Sequence, residues 1–243
     1  MTTLFISDIH ISDDYLKIHS QFLDYISKID TNINALYILG DLFDYWLGDD
    51  DPNPIFRDTE KALNRLSDKN VSVFFIHGNR DFLISDHFAQ RAGIKILPDP
   101  SVIEIYGKRI LISHGDIFCT DDQKYQSFRK ETRNPVWQKM ILEKPLEYRK
   151  EFSMNARKKS IEHTQASNEI IMDVNENEII KILNEHNLTQ VIHGHTHKPA
   201  IHNTISNKKN YQRIVLGDWY NQGSVLKWDK SGPNLIELQR TND

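Results

Sequence analysis

The chain has 243 residues, 39% of them hydrophobic and 26% charged, enough to bury the core of one large domain. Thirty basic against thirty-four acidic side chains leave a formal charge of −4, so no global positive field advertises nucleic acid. A single cysteine, Cys119, excludes an internal disulfide framework and a multi-cysteine zinc finger, and it suits a cytosolic protein.

Leu4 to Ile6 reads as a strand that ends in Ser7-Asp8-Ile9-His10. Ile18, Phe22, Ile26 and Ile29 recur every three or four residues, which predicts a helix over 15–29. A second strand, Ala35 to Leu39, runs into Gly40-Asp41. After a polar loop from Asp49 to Pro54, Phe56, Leu63 and Leu66 share one face of a helix that reaches Asn70. Ser72 to Ile76 is a third strand, ending at Gly78-Asn79-Arg80-Asp81. Val102 to Ile105 and Arg109 to Ile112 form a hairpin turning at Tyr106-Gly107, and lead into Ser113-His114-Gly115-Asp116.

From Asp121 to about Ile171 the alternation stops, and long polar helical stretches are broken by Pro135 and Pro145. Between Lys124 and His163 eleven Lys or Arg face five Glu, a local excess of six positive charges. The α/β pattern resumes with a helix around Glu178 to His186 and a strand, Gln190 to Ile192, that ends in His193-Gly194-His195-Thr196-His197. The tail, Ala200 to Leu238, is a meander of short strands. One domain, 1–243, is expected, with a helical cap, 121–171, inserted in it. The longest apolar runs, such as Val71 to Ile76, fall far short of the roughly 20 residues that a bilayer span needs. No basic leader precedes the first strand, so a cytoplasmic protein is expected.

Five times an apolar strand ends in Asp, His or Asn: Asp8 with His10, Asp41, Asn79, His114, and His195 with His197. Loops beyond the carboxyl ends of strands converge on one crevice, so five such clusters point to one site. Taken singly, Asp-x-His occurs by chance in many proteins, and Gly-Asp and Gly-Asn-Arg-Asp are also ordinary turn sequences. Their conjunction carries the signal. The donors are imidazole, carboxylate and amide with no thiolate, a mixture that suits Mn²⁺, Fe or Zn²⁺ better than a magnesium or calcium cage. Two divalent ions roughly 3.5–4 Å apart need a shared carboxylate, for which Asp41 is the natural bridge.

These motifs resemble those of the calcineurin-like metallophosphoesterases. The resemblance implies an α/β fold, the four-layer α/β/β/α sandwich, here with its helical cap. Longer blocks (Tyr37 to Phe43, Trp46 to Pro54, Cys119 to Asp122, Ile171 to Asn175 and His193 to Ala200) are similar to one branch of that family, which acts in lipid A biosynthesis. That branch implies a pyrophosphatase whose substrate is UDP-2,3-diacylglucosamine and whose products are UMP and 2,3-diacylglucosamine 1-phosphate. It also implies two Mn²⁺ ions and peripheral contact with the cytoplasmic side of the inner membrane, with no nucleic acid and no obligate protein partner.

Carried over motif by motif, Asp8, His10, Asp41 and His197 would hold one Mn²⁺, and Asp41, Asn79, His114 and His195 the second. Arg80 would reach the substrate phosphate with its forked guanidinium. Substrate contacts are implied at Asn79, Asp122, Ser160, Thr164, Ser167 and His195. Thr164 and Ser167 stand where the better-known members carry Asn and Lys. Thr164 keeps hydrogen-bonding capacity, whereas Ser167 supplies no positive charge.

The cap residues Phe128, Trp137, Met140, Ile141, Phe152 and Met154 either line a dry groove for acyl chains or pack the cap onto the core. Its basic residues either face an anionic membrane or water. His19, His87, His163, His186 and His202 lie away from the strand ends and read as surface residues. His77 and His193 precede the glycines of two motifs and either orient ligands or sit buried in strands. Two other function classes remain open at this level: a phosphoesterase for another nucleotide or nucleic acid, and a binding module that keeps the sandwich without catalysis.

Overall fold

A computed structural model of the chain describes residues 1–166, 173–220 and 223–238, the side chains of 163–166 excepted. In the first sheet β1 (Thr2–Ile6), β2 (Ile33–Leu39), β3 (Ser72–Ile76) and β4 (Ile94–Leu97) lie side by side and parallel. The second sheet has the order β5 (Ser101–Ile105), β6 (Lys108–Ile112), β7 (Gln190–His193), β9 (Lys209–Val215), β8 (Ala200–Ser206). Its three central strands are parallel and its two edges antiparallel. Two further strands, β10 (Ser224–Asp229) and β11 (Gly232–Glu237), extend the first sheet antiparallel beyond β1.

The strand period of two builds the layers. Leu4, Ile6, Leu36, Ile38, Val73 and Phe75 turn to one face and cluster with Ile18 and Phe22 of α1 (Leu16–Ser27) and with Phe56 and Leu63 of α2 (Pro54–Asp68). Their neighbours Phe5, Ala35, Tyr37 and Leu39 turn the other way, against Ile110, Ile112, Ile192 and Ile214 of the second sheet. Leu111 and Val191 emerge beyond it, under Ile179 and Leu183 of the helix Glu176–Glu185. Three apolar clusters thus separate four layers, helix, sheet, sheet and helix, as expected.

Two short elements were not anticipated, α3 (Asp86–Ala92) and β4. Neither is long enough to show a period, but their punctuation is local. Ser85 Oγ accepts from the His87 amide, and Gly93 ends the helix at φ +66 in the left-handed region. His19 corrects another expectation. It lies on the inward face of α1 and is buried; His87, His186 and His202 are exposed as expected.

The helical segment comprises α4 (Gln123–Thr132), α5 (Pro135–Leu142) and α6 (Leu146–Ala166), with α7 (Glu176–Glu185) following it. Pro135 breaks the run by starting a helix. Asn134 accepts from the Val136 amide at 2.8 Å, with the proline at the first helical position, as Asn53 and Pro54 do for α2. Ile141 is buried, Trp137 and Phe152 are half-buried against each other, and Met140, Met154 and Val136 are exposed. Packing therefore accounts for some of these apolar residues, while others stand exposed.

The basic residues of the segment divide by type. All seven lysines, from Lys124 to Lys159, are exposed. All four arginines turn toward the core. Arg129 bridges Asp99 and Asp116, Arg133 donates to the Gly78 carbonyl at 2.7 Å, Arg149 holds Leu47 O and Asp50, and Arg157 pairs with Asp44. A planar fork suits such two-point anchoring, whereas a compact ammonium keeps its hydration. Among the described residues no helix is long and apolar enough to cross a membrane.

Candidate metal and phosphate site

The predicted residues converge at the carboxyl ends of β1, β2, β3, β6 and β7. His10 Nε2 lies 3.3 Å from His197 Nε2, and His197 Nε2 lies 3.3 Å from Asp8 Oδ1. Asp41 places one carboxylate oxygen 3.9 Å from His10 Nε2 and the other 3.8 Å from His114 Nε2. Asn79 Oδ1 is 2.9 Å from both His114 Nε2 and His195 Nδ1. The atoms of Asp8, His10 and His197, and those of Asp8, Asp41 and His114, are mutually close enough to hold a metal ion.

Backbone conformation sets this convergence. Asp8, His10, Asp41, His195 and His197 all have φ between +53 and +68. Left-handed backbone is uncommon for residues other than glycine and is retained where surrounding structure enforces it. Here it turns each side chain from the strand axis into the shared crevice. The intervening glycines let the loops touch. A Cβ on Gly78 would stand 2.1 Å from Asp41 Oδ1, and one on Gly194 would stand 2.3 Å from Asp8 Oδ2.

Buried partners orient the donors. The Leu39 carbonyl, 2.9 Å from His114 Nδ1, accepts its proton and aims Nε2 into the crevice. Asp8 accepts from Ser7 Oγ at 2.5 Å and from the His195 amide, while the Arg80 amide donates to Asp41 Oδ1 at 2.8 Å. Asp81 spans the turn below, accepting from the amides of Gly78 and Leu42. His193 is buried and donates Nδ1–H to the Gly194 carbonyl, and His77 donates to Ile84 O.

The charges are strongly interdependent. Burial pushes the Asp41 carboxyl up to about 7, with Asp81 and Asp8 adding to the shift against His114 and Arg80. Burial would also raise Asp8, but His197, His114 and His10 hold it well below the carboxylate range. Burial lowers His195 to about 3, with His114 beside it acting in the same sense. His10 falls well below its ordinary value through burial, against the pull of Asp8. His10 Nδ1 is buried without a hydrogen-bond partner, as is Arg80 Nε. Close-packed imidazole and carboxylate donors, with a bridging carboxylate between two groups, fit divalent cations; the unpartnered guanidinium nitrogen fits an anionic oxygen beside them.

Of the implied substrate contacts, Asn79 and His195 lie together in this crevice. Asp122 caps α4, accepting from the Tyr125 amide at 3.0 Å. Ser160 lies exposed on α6, which also spans position 164. The Thr164 side chain and Ser167 lie outside what is described. Residues that sequence reasoning passed over also reach the site. Asp218 Oδ2 is 3.3 Å from His197 Nδ1, and Tyr220 stacks on His10 with centroids 5.1 Å apart. Both follow β9, where Gly217-Asp218 repeats the Gly-Asp signature of Gly40-Asp41 at a sixth strand end. Asp44, buried 3.7 Å from His10 Nδ1, carried no signal beyond its type, and buried Asp116 stood in the Ser113-His114-Gly115-Asp116 motif without an expected role of its own.

Residues 1–199 match the family model of the calcineurin-like phosphoesterases. A UDP-2,3-diacylglucosamine hydrolase of Stenotrophomonas maltophilia (strain K279a) is 45% identical over 99% of this chain and 100% of its own. One of Xanthomonas oryzae pv. oryzae (strain PXO99A) is 46% identical over 98% and 99%. Among solved structures, a novel archaeal phosphodiesterase superposes with a TM-score of 0.50 at 12% identity, covering 98% of this chain and 100% of that one, a likeness of fold alone.

Proposed function

The chain belongs to the calcineurin-like phosphoesterases, and from that premise we propose that it hydrolyses the pyrophosphate of UDP-2,3-diacylglucosamine in lipid A biosynthesis. The products are UMP and 2,3-diacylglucosamine 1-phosphate, and the metal is Mn²⁺. One observation carries the reading: five strand ends deliver their Asp, His and Asn side chains into one crevice, those after β1, β2 and β7 through left-handed backbone. Identity of 45% over nearly full length to relatives named for this hydrolysis supports the substrate.

Asp8, His10, Asp41 and His197 would hold one ion, and Asp41, Asn79, His114 and His195 would hold the other. Bound divalent ions supply an activated water near neutral pH and neutralise charge developing on the phosphoryl oxygens. The chain contributes position. Asp41, fixed by the Arg80 amide, keeps the two halves of the site in register. Asn79 ties the His114 and His195 loops together. Arg80 offers its buried, unpartnered Nε to a phosphate oxygen. The exposed Val136, Met140 and Met154 of the helical segment offer apolar surface to the acyl chains, and its outward lysines favour an anionic membrane on the cytoplasmic side.

The test is hydrolysis of UDP-2,3-diacylglucosamine by the Mn²⁺-loaded protein in ¹⁸O-water. Label in UMP is expected, since attack falls on the α-phosphorus. Label in the sugar phosphate overturns that assignment. Equal turnover of the deacylated UDP-glucosamine removes the lipid substrate.

A further inference from the structure

Outside the ligands themselves, a cluster of buried charge lies where α4 meets the loop after β6. Arg129, 20% exposed, donates from Nε to Asp116 Oδ2 at 2.9 Å and from Nη2 to Asp99 Oδ2 at 3.1 Å. Asp116 is fully buried. Asp99 then accepts through Oδ1 from Ser113 Oγ at 2.6 Å and from the His114 amide at 3.2 Å. Asp116 Oδ2 also accepts from Tyr125 Oη at 2.5 Å, and the Tyr125 ring stacks on His195 with centroids 5.9 Å apart. Arg133 lies 3.8 Å from the same oxygen, and its Nη2 donates to Gly78 O, the residue before Asn79.

One junction therefore touches the loops of His114, His195 and Asn79. In the described contacts it reaches none of Asp8, His10 and His197. We propose that Arg129 is a positioning residue for the half of the site formed by Asn79, His114 and His195, so that α4 belongs to the metal cage rather than to a detachable lid. The inference rests on the functional reading above. Partners that orient metal ligands typically contribute 10–100-fold to affinity when removed. A lysine cannot span both carboxylates as the fork does.

The experiment compares wild type, Arg129→Lys and Arg129→Met by Mn²⁺ titration of metal-free protein, following bound ion by electron paramagnetic resonance, with thermal unfolding of the metal-free forms alongside. Removing the guanidinium outright takes the ion-pair partner from buried Asp99 and leaves Asp116 only Arg133 at 3.8 Å, so Arg129→Met serves only if it folds. Arg129→Lys keeps the charge. In Arg129→Lys one class of Mn²⁺ is expected to weaken about tenfold and the other to stay within about twofold, with turnover recovering at saturating Mn²⁺. Unchanged affinities in both classes overturn the proposal. So does an equal fall in both that follows a lowered Tm, which marks a general packing role. A wild type that binds no Mn²⁺ and hydrolyses no substrate overturns the functional reading instead.

Discussion

His10 and His197 point their Nε2 atoms at one another across 3.3 Å, with Asp8 equally close to the second. Three electron-rich atoms at this spacing repel unless a proton or a cation lies among them. In the metal-free chain protons do this. Burial alone would lower both His114 and His197, but Asp41, Asp8 and Asp116 bring the first up to about 9, and Asp8 and Asp218 bring the second to about 10.

Metal binding should therefore expel protons at pH 7. Both imidazoles are cationic below those values, and a ligand nitrogen must be bare. Affinity for Mn²⁺ is expected to strengthen as pH rises from 7 toward 9. Calorimetric titration in two buffers of different ionisation enthalpy counts the protons. Release of none at pH 7 contradicts the ligand assignment of His114 and His197.

Gly78→Ala is expected to abolish metal binding and to cut turnover by about 10²-fold or more, since a shift near 1 Å at a reacting centre has that effect. The new Cβ meets the Asp41 backbone nitrogen at 2.2 Å as well as its carboxylate, and backbone cannot swing aside. Gly107→Ala is the control. Its Cβ meets nothing within 4 Å, so only the left-handed φ of +74 is strained, at about 1 kcal/mol in Tm-derived stability, with activity retained.

Much of this site was legible because strand ends are legible. Short β-rich runs stop at Asp8, Asp41, Asn79, His114 and His195, and the fold rule that gathers such ends holds here. What escaped was the depth behind them. Asp44 and Asp99 resemble surface aspartates in sequence, and only burial beside arginines distinguishes them; Asp116 stood in a strand-end motif, but its pairing with Arg129 left no trace there. Asp218 was missed within a run of short strands although its Gly-Asp signature was present. The excess of basic residues in the helical segment read as one property, whereas arginine and lysine went to opposite faces.

Asp50 and Arg149 form an unequal pair, with the carboxylate 63% exposed and the guanidinium 4%. Asp50→Ala leaves a buried cation with the Leu47 carbonyl at 2.6 Å, while Arg149→Met releases a carboxylate into water. The first is expected to cost about 3 kcal/mol and the second about 1 kcal/mol. Denaturant unfolding of both variants measures the order. A larger loss in Arg149→Met refutes the account.

Val136→Asp with Met154→Asp alters exposed positions of α5 and α6, 78% and 64% open, without disturbing the core. Turnover of the acylated substrate should fall about tenfold, the effect of roughly two methylene groups left in water. Hydrolysis of a soluble phosphodiester should stay within about twofold, with unchanged Tm. Parallel losses on both substrates would assign these residues to packing.

The five left-handed side-chain-bearing positions around the crevice carry a consequence for engineering. Glycine or asparagine would relax the chain at Asp8, His10, Asp41, His195 and His197, so heat resistance and chemistry pull these positions in opposite directions. Selection for thermal tolerance with no catalytic screen should drift there first, yielding a hardier protein with an idle crevice.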